Sequence, residues 1–345
     1  MKLYVALDVS LAKTAVCVMD HDGNLVREVE APTCPAALAA LLGGYEAELE
    51  RVGMEAGPMS EWLVRGLAEH GIDAVLMETR QAHKALSAMT VKTDRNDARG
   101  LAHLLRMGWF RPVHVKAASA REQRARLAAR TTMVRQQRDL ENSLRGLLRG
   151  FGLRVPTLRR GSWADAVRAL VGGHPTLPGI VEPLLQAREA LHQQLAVLDR
   201  QVRDAARDDA VCRRLMTVPG VGAVVALTFR SSIDDPTRFR SSRSVGAFLG
   251  LTPKRYQSGE TDRAGAISKV GDAAARVALF EAAHVLLTRV ARWSALKAWG
   301  VRLAQRRGAK RAKVALARKL ATVLHRMWVS ETDFHHGIPA AAMEA

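Results

Sequence analysis

Hydrophobic and polar positions alternate in short runs at the start of the chain. Three segments rich in β-branched and apolar residues follow one another: LYVALDVS, TAVCVMD and NLVREVEA, at residues 3–10, 14–20 and 24–31. Asp22, Gly23 and Asn24 supply a turn signal before the third segment. This pattern predicts a meander of three strands.

The pattern then alternates between helix and strand. A helix is expected after Pro35, a short strand in RVGMEAG at 51–57, a helix from about Glu61 to His70, and another strand at 72–78. Strands followed by alternating helices and strands favour a mixed α/β sheet with helices packed on it.

Residues 92–98, KTDRNDA, begin a helical region. Thr93 or Asp94 is suited to cap a helix that runs to about Met107. A second, long helix is predicted from about Ser119 to Leu148, because this segment has no proline and no glycine before Gly146. Glycines and prolines then interrupt residues 150–180.

A regular spacing of apolar residues follows this break. They recur at steps of three, four or seven: Leu184, Leu191, Leu195, Leu198 and Val202. Such spacing is typical of an antiparallel or intermolecular coiled coil, and a helical pair packed only within one chain fits the pattern equally well. We therefore expect a helical hairpin in residues 113–210, with a dimer or tetramer contact as one interpretation.

A third region begins at LMTVPGVGAVVALTF, residues 215–229. Pro219, Gly220, Val221 and Gly222 predict a tight turn between two apolar helices, which resembles the helix-hairpin-helix of DNA-binding proteins. In such a motif backbone amides at a helix start contact a phosphate, so Gly220 and Gly222 become candidate nucleic-acid contacts. A plain turn between packed helices is the alternative.

Charge is unevenly distributed along the 345 residues. Residues 1–100 contain 10 Lys and Arg against 15 Asp and Glu, whereas the whole chain has formal net charge +18. From Arg289 to Arg326 there are 12 cations and no acid. A basic surface of this size indicates a polyanionic partner. The cations that we single out there are Arg306, Arg307, Lys310 and Arg311.

Other classes of protein are not supported by the sequence. Three widely spaced cysteines give neither a disulfide framework nor a zinc ribbon. Asp8 interrupts the first apolar run, and no apolar stretch is long enough to span a bilayer, so we expect a cytoplasmic protein without a membrane partner. Neither a Walker loop nor a GxGxxG motif is present.

Four acids stand where a nuclease of ribonuclease-H type needs them. Asp8 lies on the first strand, Glu55 on a later strand expected to neighbour it, and Asp94 and Asp97 share one helix face. Four carboxylates a few ångströms apart repel one another unless a cation lies between them. Mg²⁺, with Mn²⁺ as the alternative, takes such oxygen ligands and promotes phosphodiester chemistry.

The motifs LDVS, MEAG and KTDRNDA resemble the DEDD transposases of bacterial insertion sequences, the group that includes the Piv DNA invertases. A second block is similar as well: TVPGVG, RFRSSRSVGAFLGLTP, RYQSGE and GAISKVGD, within residues 217–272. The resemblance implies a Holliday-junction-resolvase-like, ribonuclease-H-like α/β domain at 1–112, a coiled coil at 113–210, a mainly α transposase domain at 211–330 with a helix-hairpin-helix-like motif, and a tail at 331–345. It further implies donor and target DNA, a guide RNA encoded by the element, and a tetrameric assembly.

Carried onto this chain, the resemblance makes Asp8, Glu55, Asp94 and Asp97 the metal ligands and Ser258 the nucleophile. From the residues alone, Ser258 reads as a loop residue, and Ser241, Ser242 and Ser244 read as caps or phosphate contacts. Six cations stand close to these positions and are predicted to contact nucleic acid: Lys92, Arg95, Lys254, Arg255, Arg263 and Lys269.

We therefore expect an insertion-sequence transposase that cuts and transfers DNA in a Mg²⁺-dependent reaction with a serine nucleophile. A Holliday-junction-type endonuclease or a DNA invertase that uses the same acids is the first alternative. A non-enzymatic nucleic-acid-binding protein is the second.

Overall fold

The computed structural model describes residues 2–87, 93–156 and 162–337, and the chain divides into two compact units at Lys116 and Ala117. The first unit contains β1 (Leu3–Val9), β2 (Lys13–Asp20), β3 (Leu25–Pro32), α1 (Pro35–Leu42), a 3-10 helix (Gly43–Glu48), β4 (Leu49–Glu55), α2 (Ser60–Glu69), β5 (Ala74–Met77), α3 (Thr79–Leu86), α4 (Asp94–Arg106) and β6 (Pro112–Val113).

The sheet of the first unit has the strand order β3-β2-β1-β4-β5-β6. β1, β2 and β3 form the antiparallel meander, whereas β4 lies parallel to β1 and β5 lies parallel to β4. The predicted mixed α/β unit is confirmed, and β1 and β4 are neighbours at its centre.

Helices cover both faces of this sheet. Leu3, Val5 and Leu7 of β1 point to one face and share a core with residues of α1 and α2. Ala6 points to the other face and belongs to a core with Leu101 and other residues of α4. The alternation of these side chains along β1 is what the period of two in a strand requires.

The second unit is mostly helical. It contains α5 (Ala118–Arg149), α6 (Trp163–Val171), α7 (Leu177–Asp208), α8 (Ala210–Leu215), α9 (Ala223–Ile233), α10 (Ser244–Phe248), β7 (Pro253–Ser258), β8 (Thr261–Ile267), α11 (Ala273–Thr288), α12 (Ala295–Arg307) and α13 (Ala309–Val329). The main core lies between α8, α9, α11 and α13.

The two longest helices pack along each other within the chain. Arg130 Nε donates to Asp199 Oδ1 at 2.5 Å, and Arg188 Nε donates to Glu141 Oε1 at 2.8 Å, so charged pairs join α5 to α7. The guanidinium of Arg188 also lies 4.7 Å from the ring centroid of Trp163. The predicted hairpin is therefore present, and a contact between copies of the chain stays a prediction.

No helix in the described part of the chain is both long enough and apolar enough to cross a bilayer.

Candidate active site

Asp8 and Glu55 lie at the same end of two neighbouring strands. In the parallel register of β1 and β4 the last pair is Leu7 opposite Met54. Asp8 and Glu55 each follow that pair by one residue, so the two carboxylates stand side by side at the carboxyl edge of the sheet.

Both carboxylates also point to the face that α4 covers. Ala6, two residues before Asp8, is buried in the core beneath α4. A Cβ atom at Gly53, two residues before Glu55, would lie 2.6 Å from Leu105 Cδ2 of α4. Residues two apart in a strand share a face, so Asp8 and Glu55 share this one.

The direction of α4 brings its amino end to the same edge. Arg51, near the start of β4, donates from Nη1 to the Leu105 carbonyl oxygen at 3.3 Å, so the last turn of α4 lies over the beginning of that strand. Asp97 precedes Leu105 by eight residues, or about 12 Å of helix. Asp94 and Asp97 therefore lie toward the carboxyl edge that carries the strand acids.

The amino end of α4 has the cap that the sequence predicts. The Thr93 hydroxyl accepts a hydrogen bond from the Asn96 amide at 3.2 Å, and the Asp97 amide donates to the Thr93 carbonyl at 2.9 Å. Asp97 is half-buried, whereas Asp94 and Arg95 are exposed. Lys92 lies outside the described residues.

Asp8 and Glu55 share an edge and a face, and Asp94 and Asp97 lie toward that edge, but the four acids do not form a closed cage. Among residues 2–87, 93–156 and 162–337, no three His, Cys, Asp or Glu side chains are grouped closely enough to hold a metal ion. Their donor chemistry nevertheless suits a hard divalent cation, because every candidate ligand is a carboxylate oxygen.

Hydroxyl groups fix the backbone that follows the two strand acids. The Thr79 hydroxyl donates to the Ala56 carbonyl at 2.8 Å, directly after Glu55. The Thr33 hydroxyl donates to the Ser10 carbonyl at 2.9 Å, two residues after Asp8. Sequence reasoning missed Thr33 and Thr79, since their partners are distant in the chain.

Ser258 is the last residue of β7 rather than part of an irregular loop. β7 and β8 form a two-stranded antiparallel ribbon in which Ser258 pairs with Thr261 across the turn of Gly259 and Glu260. Gly259 has φ +53°, and no atom lies within 4 Å of the position that a Cβ would take there, so the tip of the ribbon is open. Every residue of β7 is exposed.

The base of this ribbon is held tightly. Arg276 Nη1 donates to the carbonyls of Leu249, Val270 and Gly271 at 3.1, 3.0 and 2.9 Å. A Cβ at Gly250, where φ is +70°, would lie 2.0 Å from the Val270 carbonyl oxygen. The two ends of the ribbon therefore meet at a rigid junction.

The other predicted nucleic-acid contacts occupy separate surfaces of the second unit. Arg306, Arg307, Lys310 and Arg311 are exposed around the turn at Gly308 that joins α12 to α13. Lys269 is exposed just after the ribbon, with φ +57°.

The two glycines of the turn before α9 have different environments. Gly222 is exposed at the start of α9. Gly220 has φ +90°, and a Cβ there would lie 2.7 Å from the Ala282 carbonyl oxygen of α11. Close packing against α11 therefore explains why residue 220 is a glycine, and the phosphate contact stays a prediction.

Comparison with known proteins identifies the family. A family model described as Transposase IS116/IS110/IS902 family matches residues 212–299, and a transposase model of the IS110 DEDD type matches residues 5–152. The chain is 30% identical to a Pseudomonas aeruginosa protein named "Probable family 20 transposase", with 83% of this chain and 86% of that protein covered.

The chain belongs to the IS116/IS110/IS902 transposase family. It is also 29% identical to the transposase for insertion sequence element IS1111A of Coxiella burnetii, over 98% of this chain and 93% of that protein. The transposase for IS1328 of Yersinia enterocolitica is 28% identical over 70% of this chain and 73% of that protein. The four acids of this transposase lie in the first matched segment and Ser258 in the second.

A half-buried carboxylate in the second unit of the transposase was not predicted from the sequence. Asp272 Oδ2 accepts hydrogen bonds from the Arg124 guanidinium and from the Ser232 hydroxyl, the latter at 2.8 Å, and Oδ1 accepts from the amide of Ala274 at 2.8 Å. Burial opposes ionisation of Asp272, but the hydrogen bond and charge of Arg124, together with hydrogen bonds from Ser232 and the Ala275 amide, outweigh it and lower the pKa. Asp272 thus ties α5, α9 and α11 together beside the ribbon base.

Proposed function

We propose that this transposase cuts and rejoins DNA strands through a serine nucleophile, Ser258, with a divalent cation held by the acids Asp8, Glu55, Asp94 and Asp97. The observation that carries the proposal is the common edge and face of Asp8, Glu55 and the amino end of α4. Several carboxylates near one edge of a sheet create a negative potential that favours a bound cation.

The proposed cation is Mg²⁺, with Mn²⁺ as the alternative. Asp8, Glu55, Asp94 and Asp97 would hold it, since all four offer hard oxygen ligands. A bound cation of this kind neutralises phosphate oxygens and favours ionisation of a nucleophilic hydroxyl. The strands β1 and β4 and the helix α4 orient the carboxylates and keep them near one edge of the sheet.

The proposed bond changes occur at the Ser258 hydroxyl. Its Oγ attacks the scissile phosphorus, loses its proton to solvent or a base, and forms a phosphoserine while the bond from phosphorus to the departing strand breaks. The departing strand leaves with a hydroxyl group. A hydroxyl of the recipient strand then attacks the phosphoserine and releases the serine, so the number of phosphodiester bonds is conserved.

The proposed partners are donor DNA, target DNA and a guide RNA from the same element. The exposed cations of the α12–α13 turn, Arg306, Arg307, Lys310 and Arg311, would bind these polyanions through their phosphates. We further propose a ribonuclease-H-like architecture for the first unit, in view of its strand order, and a dimer or tetramer in which α5 and α7 contribute the contact.

Substitution of Ser258 tests the nucleophile. A plasmid carrying the gene with its flanking DNA reports recombination in cells, and denaturing gels report protein joined covalently to DNA. We expect Ser258→Ala to lower recombination by about 10³-fold or more and to abolish the covalent species. Gln257→Ala is the matched control, because it changes the neighbouring exposed residue on the opposite face of the ribbon and should leave recombination within about threefold.

The same experiment separates the alternatives. An endonuclease that uses water would keep cutting DNA after Ser258→Ala, and this outcome would refute the serine mechanism. A protein that only binds nucleic acid would show no cutting before the change and none after Asp97→Ala, and this would refute the enzymatic proposal altogether.

A further inference from the structure

The ribbon of β7 and β8 is exposed on both faces. All of Pro253–Ser258 is exposed, and Thr261–Ile267 is exposed except for half-buried Ile267. Within the described residues neither strand pairs with a third one. A two-stranded ribbon of this kind is marginally stable in water, so its regular form depends on the clamped base and leaves its faces available to a partner.

The two faces of the ribbon differ in charge. Arg255 and Asp262 lie on the face opposite Ser258 and form a bidentate ion pair, with Nε to Oδ1 at 2.9 Å and Nη2 to Oδ2 at 2.7 Å. The hydrogen bonds from Arg255 lower the pKa of Asp262, so the pair is ionised and neutralises itself at neutral pH. This face therefore offers little net attraction to a polyanion.

The face that carries Ser258 has an excess of positive charge. Side chains two residues apart in a strand point to the same face, so Lys254 and Tyr256 lie on the face of Ser258. Thr261 and Arg263 lie on this face as well, because they pair directly with Ser258 and Tyr256. Two cations, two hydroxyls and a phenol thus line this face. Glu260, the remaining acid of the ribbon, lies in the turn.

Tyr256 is exposed in a position where a nucleic-acid base could stack on its ring. It is 59% exposed and stands two residues from Ser258, or about 7 Å along the strand. A Cβ at Gly265 would lie 3.1 Å from Tyr256 Cε2, so part of the ring rests over the glycine on the neighbouring strand. The ring is held against the ribbon, and most of it faces solvent.

We propose that this face binds a single-stranded stretch of DNA, with an unpaired base stacked on Tyr256 and its neighbouring phosphates contacted by Lys254 and Arg263. That this DNA is the strand being cut rests on the proposed role of Ser258. The choice of a single strand follows from the chemistry, because a paired base is already stacked in the duplex and presents no free π-face to a tyrosine.

A fluorescent base analogue tests this stacking directly. The probe is a single-stranded oligonucleotide with several 2-aminopurine bases, whose fluorescence falls when they stack on an aromatic ring. The full-length protein should quench the probe. Tyr256→Ala should remove the quenching and weaken binding by about tenfold, and Tyr256→Phe should retain both, because the ring provides the contact.

The opposite face provides a matched control. Gln257→Ala changes a neighbouring exposed residue of the same strand and should leave the quenching unchanged, whereas Arg263→Ala should weaken binding and reduce its salt dependence. Unchanged quenching in Tyr256→Ala, or an equal loss in Gln257→Ala, would overturn the proposal. Equal quenching of the same probe in a duplex would do so too.

The two proposals fail in different ways. Ser258→Ala should abolish strand transfer while the quenching of the single-stranded probe persists. If strand transfer survives Ser258→Ala, the serine mechanism fails and the quenching result stands unaffected.

Discussion

The strand acids Asp8 and Glu55 and the proposed nucleophile Ser258 lie in two different kinds of structure. Asp8 and Glu55 end central strands of a six-stranded sheet with helices on both faces. Ser258 ends a strand of a two-stranded ribbon, and the hydrogen bonds of Arg276 hold the base of that ribbon. Carboxylates that repel one another need a rigid frame to stay together, whereas a nucleophile that meets a long polymer benefits from exposure. Substitutions in each framework probe this contrast.

The largest effect is expected at the sheet edge. Asp8→Asn keeps the shape of the side chain but removes a charge, so we expect DNA strand transfer to fall by about 10³-fold or more. A loss of strand transfer at an unchanged melting temperature would separate the role of the charge from a loss of fold.

Asp22→Asn is the control for that change. Asp22 is an exposed acid in the turn between β2 and β3, at the opposite end of the sheet. Its substitution should leave strand transfer and melting unchanged. Activity of Asp8→Asn within about tenfold of the unmodified protein would contradict a role for Asp8 in the reaction.

The next effect is expected at the ribbon base. In Gly250→Ala the new Cβ would meet the backbone of Val270, which cannot rotate away, at a residue with positive φ. We expect a loss of about 3 kcal/mol in the free energy of unfolding of the second unit. Hydrogen exchange in residues 253–267 should accelerate, and strand transfer should be lost.

Gly259→Ala provides the comparison at the ribbon tip. Its φ is +53°, but no atom lies within 4 Å of the added Cβ, so only backbone strain of about 1 kcal/mol is expected. Equal hydrogen exchange in the two variants would show that the base of the ribbon is not its anchor.

A smaller effect is expected where α4 crosses the sheet. The Cβ of Gly53→Ala would meet the end of the Leu105 side chain, which can shift. We expect about 1–2 kcal/mol of destabilisation, measured by denaturant unfolding, and a partial loss of activity as α4 is displaced from the acids. Gly44→Ala, with no atom within 4 Å, should be neutral. A loss as large as that of Gly250→Ala would mean that α4 is as tightly constrained as the ribbon base.

The first unit was largely predictable from the sequence, because its signals are local. The three strands β1 to β3 and the cap at Thr93 are visible in short windows, and the structure confirms both. The common edge of Asp8 and Glu55 follows from their positions at strand ends. Hydroxyl contacts such as Thr79 to Ala56 depend on tertiary register, which no local pattern specifies.

The ribbon was not predicted. Residues 253–267 are polar on both faces, so they lack the apolar alternation by which a half-buried strand is recognised. The remaining signal is Gly259, which occupies the first central position of a two-residue turn at positive φ. The mainly helical third region that was expected is confirmed, and the ribbon of β7 and β8 within it is the part that the sequence did not predict.

The smallest effect is expected from pH and concerns the second unit alone. His325 is buried, with Nδ1 2.9 Å from the Ser242 hydroxyl and Nε2 3.1 Å from the Pro236 carbonyl oxygen, and its ring packs against Phe239. Burial lowers the pKa of His325, although the bond to the Pro236 carbonyl opposes this.

The pKa of His325 in the folded protein lies below its unfolded value of about 6.5. The contribution of neutral His325 to the free energy of unfolding is therefore fully present above that pH. It is lost as pH falls through 6.5 toward the folded pKa, since the unfolded chain then binds the proton first. Denaturant unfolding between pH 7.5 and 5.5 should therefore show that the stability difference between the unmodified protein and His325→Gln shrinks as pH falls. A difference that stays constant would assign the pH response to other groups, and a difference that grows would mean that folding favours the protonated imidazole.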